Sequence, residues 1–226
     1  MSRISADLES IGGKIRASFA AKHEARDKAI KLSREAIFQC ASSIRAAHRG
    51  EYPLAGSLAR AAKAMIDEVG EAVKDQDDLR YAGFVHDSHK EYAEANITLA
   101  LVSGKAIPDP DELGVEYSAY LNGLGEAAGE LRRHLLDVMR KGEVERCEDI
   151  LGMMDDIYSL LVTIDFPDAL TGGLKRTTDM VRGVLERSRG DLTVALRQRD
   201  LEIKLDAFNA NLKQRGLGQS GEARPK

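Results

Sequence analysis

The chain has 226 residues, 43% hydrophobic and 31% charged, which excludes a disordered chain and leaves room for one large domain or two small ones with a real core. Its net charge of −4 is segregated: nine Lys/Arg against three acids from Lys14 to Arg49, nine acids against three bases from Asp67 to Glu94, and seven bases against three acids from Lys175 to Arg199. A chain near neutrality with such blocks presents separate cationic and anionic surfaces.

There is no Trp and there are five Pro, so the prior is helix. The first element runs from Ile4 to Arg49. Leu8, Ile11, Ile15 and Phe19 start an apolar stripe, and Ile30, Ile37 and Ile44 continue it at intervals of seven. Gly12-Gly13 is a point where it can divide; unbroken, it is a rod of roughly 68 Å, a length that calls for a partner subunit. A second helix is expected over 53–74, with Pro53 in its first turn, and a third over 79–103, ended by Gly104. The fourth starts near Asp111 or Leu113 and reaches Arg140, where Lys141-Gly142 stops it. The fifth covers 143–164 and ends at Phe166-Pro167. The sixth spans 173–189, and Gly190 separates it from a seventh, capped by Asp191 and ending near Lys213. The expectation is an all-α, single-domain bundle of seven helices over residues 1–213, with a disordered polar tail at 214–226.

Cys40 and Cys147 have no metal spacing and no disulfide framework. No run approaches the roughly 20 apolar residues of a membrane span, and residues 1–9 lack an apolar signal region. Reduced thiols in a soluble, cytoplasmic protein with no membrane partner are expected.

Two acidic pairs carry the chemistry. Glu91 and Glu94 are three residues apart, and Glu126 and Glu130 four apart, so each pair shares one face of its helix. A groove between two such helices offers four carboxylates to a hard cation such as Mg²⁺, with Mn²⁺ as the alternative. Any one such pair in a chain with 37 acids is more simply a solvated face. The second pair, however, lies among Gly123, Gly125 and Gly129, each of which costs a helix about 0.5–1 kcal/mol relative to Ala. Small residues at that spacing admit another backbone or a ligand.

Lys-Glu-Tyr-Ala-Glu-Ala (90–95) and Tyr-Leu-Asn-Gly-Leu-Gly-Glu-Ala-Ala-Gly-Glu-Leu (120–131) resemble the translin/TRAX family. The stretch from Arg34 to Arg49 fits that family's first long helix, and residues 173–191 look like its archaeal, C3PO-type branch. The resemblance covers about residues 4–210. It implies a translin-like seven-helix fold that assembles into a hollow, roughly octameric homo-oligomer enclosing RNA. In TRAX-type subunits the acids matching Glu91, Glu94, Glu126 and Glu130 line a Mg²⁺-dependent endoribonuclease site. Translin-type subunits bind RNA or single-stranded DNA without the full acid set. TRAX members carry Asp where Glu126 stands, a departure that bears on rate and metal preference.

The cationic residues Arg45, His48 and Arg49, and Lys175, Arg176, Arg182, Arg187 and Arg189, are read as contacts to nucleic-acid phosphates, sequence-independent and salt-sensitive. With few aromatics beside them, base stacking is not their device. His86 and His89 flank the acids as half-exposed helical residues. No Glu-x-x-His exists anywhere, which removes a ferritin-like di-iron site. The expected activity is a metal-dependent endoribonuclease. The rivals are a non-catalytic RNA-binding assembly and an all-α nucleotide pyrophosphohydrolase, whose second acid pair is usually spaced i,i+3.

Overall fold

In the computed structural model, which describes residues 3–214, the first helix, α1, runs unbroken through Gly12-Gly13 from Arg3 to His48. At 46 residues it is about 69 Å long. Its burial begins only at Ala29 and continues through Ser33, Ala36, Cys40, Ser43, Ile44, Ala46 and Ala47, where it lies on α2 (Tyr52–Val73) and α4 (Gly83–Ser103). The N-terminal half carries Ile4, Leu8, Ile11, Ile15 and Phe19 with no cover, each at least 49% exposed.

The expected third helix is interrupted. A single turn, α3 (Asp77–Arg80), precedes α4, with Tyr81 and Ala82 between them. Leu79 and Val85 both pack with Val69 and Val73 in one cluster. Six residues apart on a straight helix, they would point about 120° away from each other. The turn brings both onto α2. The expected fourth helix is divided likewise. A turn α5 (Pro110–Leu113), closed by an Asp109/Glu112 capping box, stops at Gly114 in the left-handed conformation (φ 65°), and α6 starts afresh over Tyr117–Arg140.

Helix α7 spans Val144–Val162, and a turn α8 (Asp168–Thr171) leads into α9 (Leu174–Gln214). The sixth and seventh helices of the sequence reading are this one 41-residue element, and Gly190 does not break it. Val184, Leu185, Ser188 and Leu192 form a buried stripe across Gly190. Arg132 spans the same point, donating to Ser188 Oγ (3.1 Å) and to Asp191 Oδ2 (2.8 Å). Together these outweigh the roughly 1 kcal/mol propensity cost of one glycine. The tail expected at 214–226 lies, from residue 215 on, outside the described residues.

The single all-α domain is two three-helix layers, α1/α2/α4 and α6/α7/α9, joined where α4 packs on α6. Its main core, centred on Ile97, Leu131, Leu135, Met154 and Leu161, runs through that junction. Among the described residues no helix is long and apolar enough to cross a membrane.

Candidate metal centre

The junction of α4 and α6 holds the acids, and a glycine sets how close the two helices come. A Cβ on Gly123 would lie 2.6 Å from the Lys90 carbonyl oxygen and 3.0 Å from both the Glu94 nitrogen and the Ala93 Cβ. Only a bare Cα fits against the turn of α4 that carries Glu91 and Glu94. Gly125 makes the same kind of approach on the other side of α6, towards Thr177, Leu161 and Val181, whereas Gly129 faces open space.

With the backbones this close, ligand oxygens of Glu91, Glu94 and Glu126 all lie within 4.8 Å of one another. Glu94 is the buried member, 8% exposed. Burial, reinforced by the neighbouring charges of Glu91, Glu126 and Glu130, pushes its carboxyl up to about 8. Among the described residues one cation answers them. Lys90 Nζ donates to Glu126 Oε1 at 2.7 Å and lies 3.2 Å from Glu91 Oε1. Burial works to lower the Lys90 pKa, but these two carboxylates outweigh it and the net shift is upward.

Glu130, the fourth acid, is not part of the group of three. His48 Nε2–H donates to Glu130 Oε2 at 2.5 Å, and this bond holds the Glu130 carboxyl below its ordinary range. The His48 side chain is 4% exposed and its Nδ1 is buried without a partner. The structure thus places His48 against the acids, pointing inward, while Arg45 and Arg49 beside it are exposed. Cys40 lies buried near the same carboxylates. Its thiol is pushed up to about 12 by burial and then by Glu91 and Glu94, which keeps it protonated and inert.

Of the other cationic residues, Lys175, Arg176, Arg182, Arg187 and Arg189 are all exposed along the first half of α9. Arg49 pairs with Glu51 and Arg189 with Asp155. Arg45, Lys175, Arg176, Arg182 and Arg187 show no ion pair among the described residues.

Sequence reasoning missed Lys90 and the His48–Glu130 pair. The first stands in the sequence beside Glu91, but its partner Glu126 is 36 positions away; the second pair is 82 positions apart. No local signal announces either contact.

No protein-family model matches the chain. An uncharacterised protein of Methanocaldococcus jannaschii is 28% identical over 200 residues, covering 86% of this chain and 87% of that protein. Among solved structures, AfC3PO matches with a TM-score of 0.75 and 29% identity, over 83% of this chain and 97% of the other. AfC3PO in a duplex RNA complex matches at 0.72 and 28%, over 85% and 98%. Apo-NeC3PO, at 0.69 and 22% over 86% and 98%, shares the fold. Fold and sequence agree with AfC3PO along most of the chain, which supports the translin/TRAX, C3PO-type resemblance of its acidic motifs.

Proposed function

We propose that the chain is a TRAX-like endoribonuclease that cleaves RNA phosphodiesters at the α4–α6 junction, within a homo-octameric shell, with Mg²⁺ or Mn²⁺ as its cation. The observation that carries this reading is the convergence of Glu91, Glu94 and Glu126 within 4.8 Å of one another. The donors fit a hard divalent ion: three carboxylates from two rigid helices, carrying more negative charge than Lys90 alone neutralises. Such an ion, when bound, supplies a polarised phosphoryl oxygen and a water of lowered pKa.

The chain's own residues do the rest. Glu91, Glu94 and Glu126 would hold the ion, and the proton that Glu94 retains near neutral pH is the one that must leave as it binds. His48 holds the Glu130 carboxylate outside the three, where its charge still acts on Glu94. Lys90 balances Glu126 and Glu91, and its ammonium is the cation placed to pair with a phosphate oxygen at the junction. The unpaired Arg45, Lys175, Arg176, Arg182 and Arg187 suit backbone contacts to RNA, as the RNA complex of the related AfC3PO also favours. The bare stripe of Ile4, Leu8, Ile11, Ile15 and Phe19 suits burial against another copy, since a monomer rarely leaves so long an apolar face in water.

One observation favours a second reading. Lys90, bridging Glu126 and Glu91, is a built-in partial counter-ion, as expected of a binding-only RNA assembly. An end-labelled single-stranded RNA incubated with the protein in Mg²⁺ and in EDTA separates the two. The nuclease gives fragments in Mg²⁺ only. Intact RNA in both, retained as a shifted and salt-sensitive band, supports the binding-only assembly and overturns the nuclease.

A further inference from the structure

A cavity of about 830 Å³ lies apart from the acids, at the corner where the end of α2, the α3–α4 turn, the start of α6 and α8 meet. We propose that it binds a phosphorylated nucleoside, with the phosphate on Arg80, His86 and His89 and the base against Tyr81 and Tyr117. Its volume falls within the roughly 300–1,000 Å³ of small-ligand pockets.

The lining sorts by chemistry. The His86 and His89 rings make no hydrogen bond among the described residues, although His86 Nδ1 lies 3.9 Å from Asp87. One nitrogen of each ring, His86 Nε2 and His89 Nδ1, is buried without a partner. His86 Nε2 is closed off by Gly172, whose added Cβ would lie 3.0 Å from it. A buried N–H with no acceptor costs more than a buried lone pair, which favours a proton on the opposite nitrogen of each ring. Two helical imidazoles on one cavity wall therefore offer N–H groups to whatever enters.

Arg80 adds a cation with no carboxylate partner among the described residues, its guanidinium 6.0 Å from the Tyr81 ring. These donors suit an oxyanion. Two further features point past a bare anion. The Tyr81 and Tyr117 rings, 72% and 62% exposed, stand on the lining as surfaces on which a base can stack. Glu116, also on the lining, is an acceptor for ribose hydroxyls or an exocyclic amine. None of Glu91, Glu94, Glu126 and Glu130 lines this cavity.

Isothermal titration of the full chain with adenosine 5′-monophosphate in EDTA tests the site without any metal at the acids, so its result is independent of whether the chain cleaves RNA. One nucleotide per chain should bind. Arg80→Ala and the rim variant Tyr117→Ala should each weaken it at least about tenfold, and Arg197→Ala, exposed on α9, should not. Displacement of the nucleotide by a 5′-phosphorylated trinucleotide RNA supports the proposal with a strand end as the ligand. Binding that the trinucleotide does not displace supports it with a free nucleotide. No binding, or binding that Arg80→Ala and Tyr117→Ala leave unchanged, overturns it.

Discussion

Glu94→Gln is expected to stabilise the metal-free protein while lowering Mg²⁺-dependent cleavage by at least about 100-fold. The floor comes from metal sites in general, where losing a group that merely orients a ligand already costs about 10–100-fold. The stabilisation comes from charge. Glu94 is held near 8 by burial and by Glu91, Glu126 and Glu130, against 4.5 in the open chain. Between those values the folded protein keeps a proton that the unfolded chain has lost, so raising the pH favours unfolding. Without metal, wild-type stability linked to Glu94 is whole below about pH 4.5 and falls progressively as the pH climbs to about 8. Gln cannot ionise and has no such slope. Urea unfolding in EDTA at pH 6 and pH 9 should show the variant more stable by about 1–3 kcal/mol at the higher pH, with the difference shrinking at the lower. A variant less stable than wild type at pH 9 would mean that Glu94 is satisfied by its surroundings and needs no cation.

The second large effect is expected at Gly123. Its added methyl group meets the Lys90 carbonyl oxygen at 2.6 Å, and backbone cannot swing aside as a side chain does. Helices α4 and α6 must part, at a cost of about 1–3 kcal/mol or more, and Glu126 moves away from Glu91 and Glu94. Gly123→Ala should therefore lose both stability and metal affinity. Gly129→Ala, less than two turns along the same helix but facing open space, should gain about 0.5–1 kcal/mol. Equal effects at the two positions would remove the close approach from the account.

That approach was legible in part, since glycines inside a good helix point to proximity, which Gly123 and Gly125 show and Gly129, facing open space, does not. The two acidic pairs were legible from their spacing, which places each on a single helix face; a metal role for those faces is what the family resemblance implies. The long first helix, the all-α class and most helix limits followed from periodicity, which is a local property. What periodicity missed was set by contacts between distant residues. The turn at Tyr81-Ala82 exists so that Leu79 and Val85 can share Val69 and Val73. Gly190 sits mid-helix because Arg132 and the stripe from Val184 to Leu192 hold the helix across it. Gly114, by contrast, was a visible stop signal between Leu113 and Tyr117 that the reading passed over. At the site, the grouping of three acids with Glu130 set apart on His48 depends on a contact across 82 residues, which no single-helix pattern contains.

Titration with Mn²⁺ followed by electron paramagnetic resonance tests the central claim most directly, because free and bound ions give different signals and no RNA is needed. The wild-type chain should bind Mn²⁺, with Mg²⁺ competing for it. The double variant Glu94→Gln/Glu126→Gln, which leaves Glu91 to pair with Lys90, should lose that binding and keep its helical circular dichroism. Undiminished Mn²⁺ binding in the double variant, or none in the wild type, would show that the three carboxylates at the α4–α6 junction are not a metal centre.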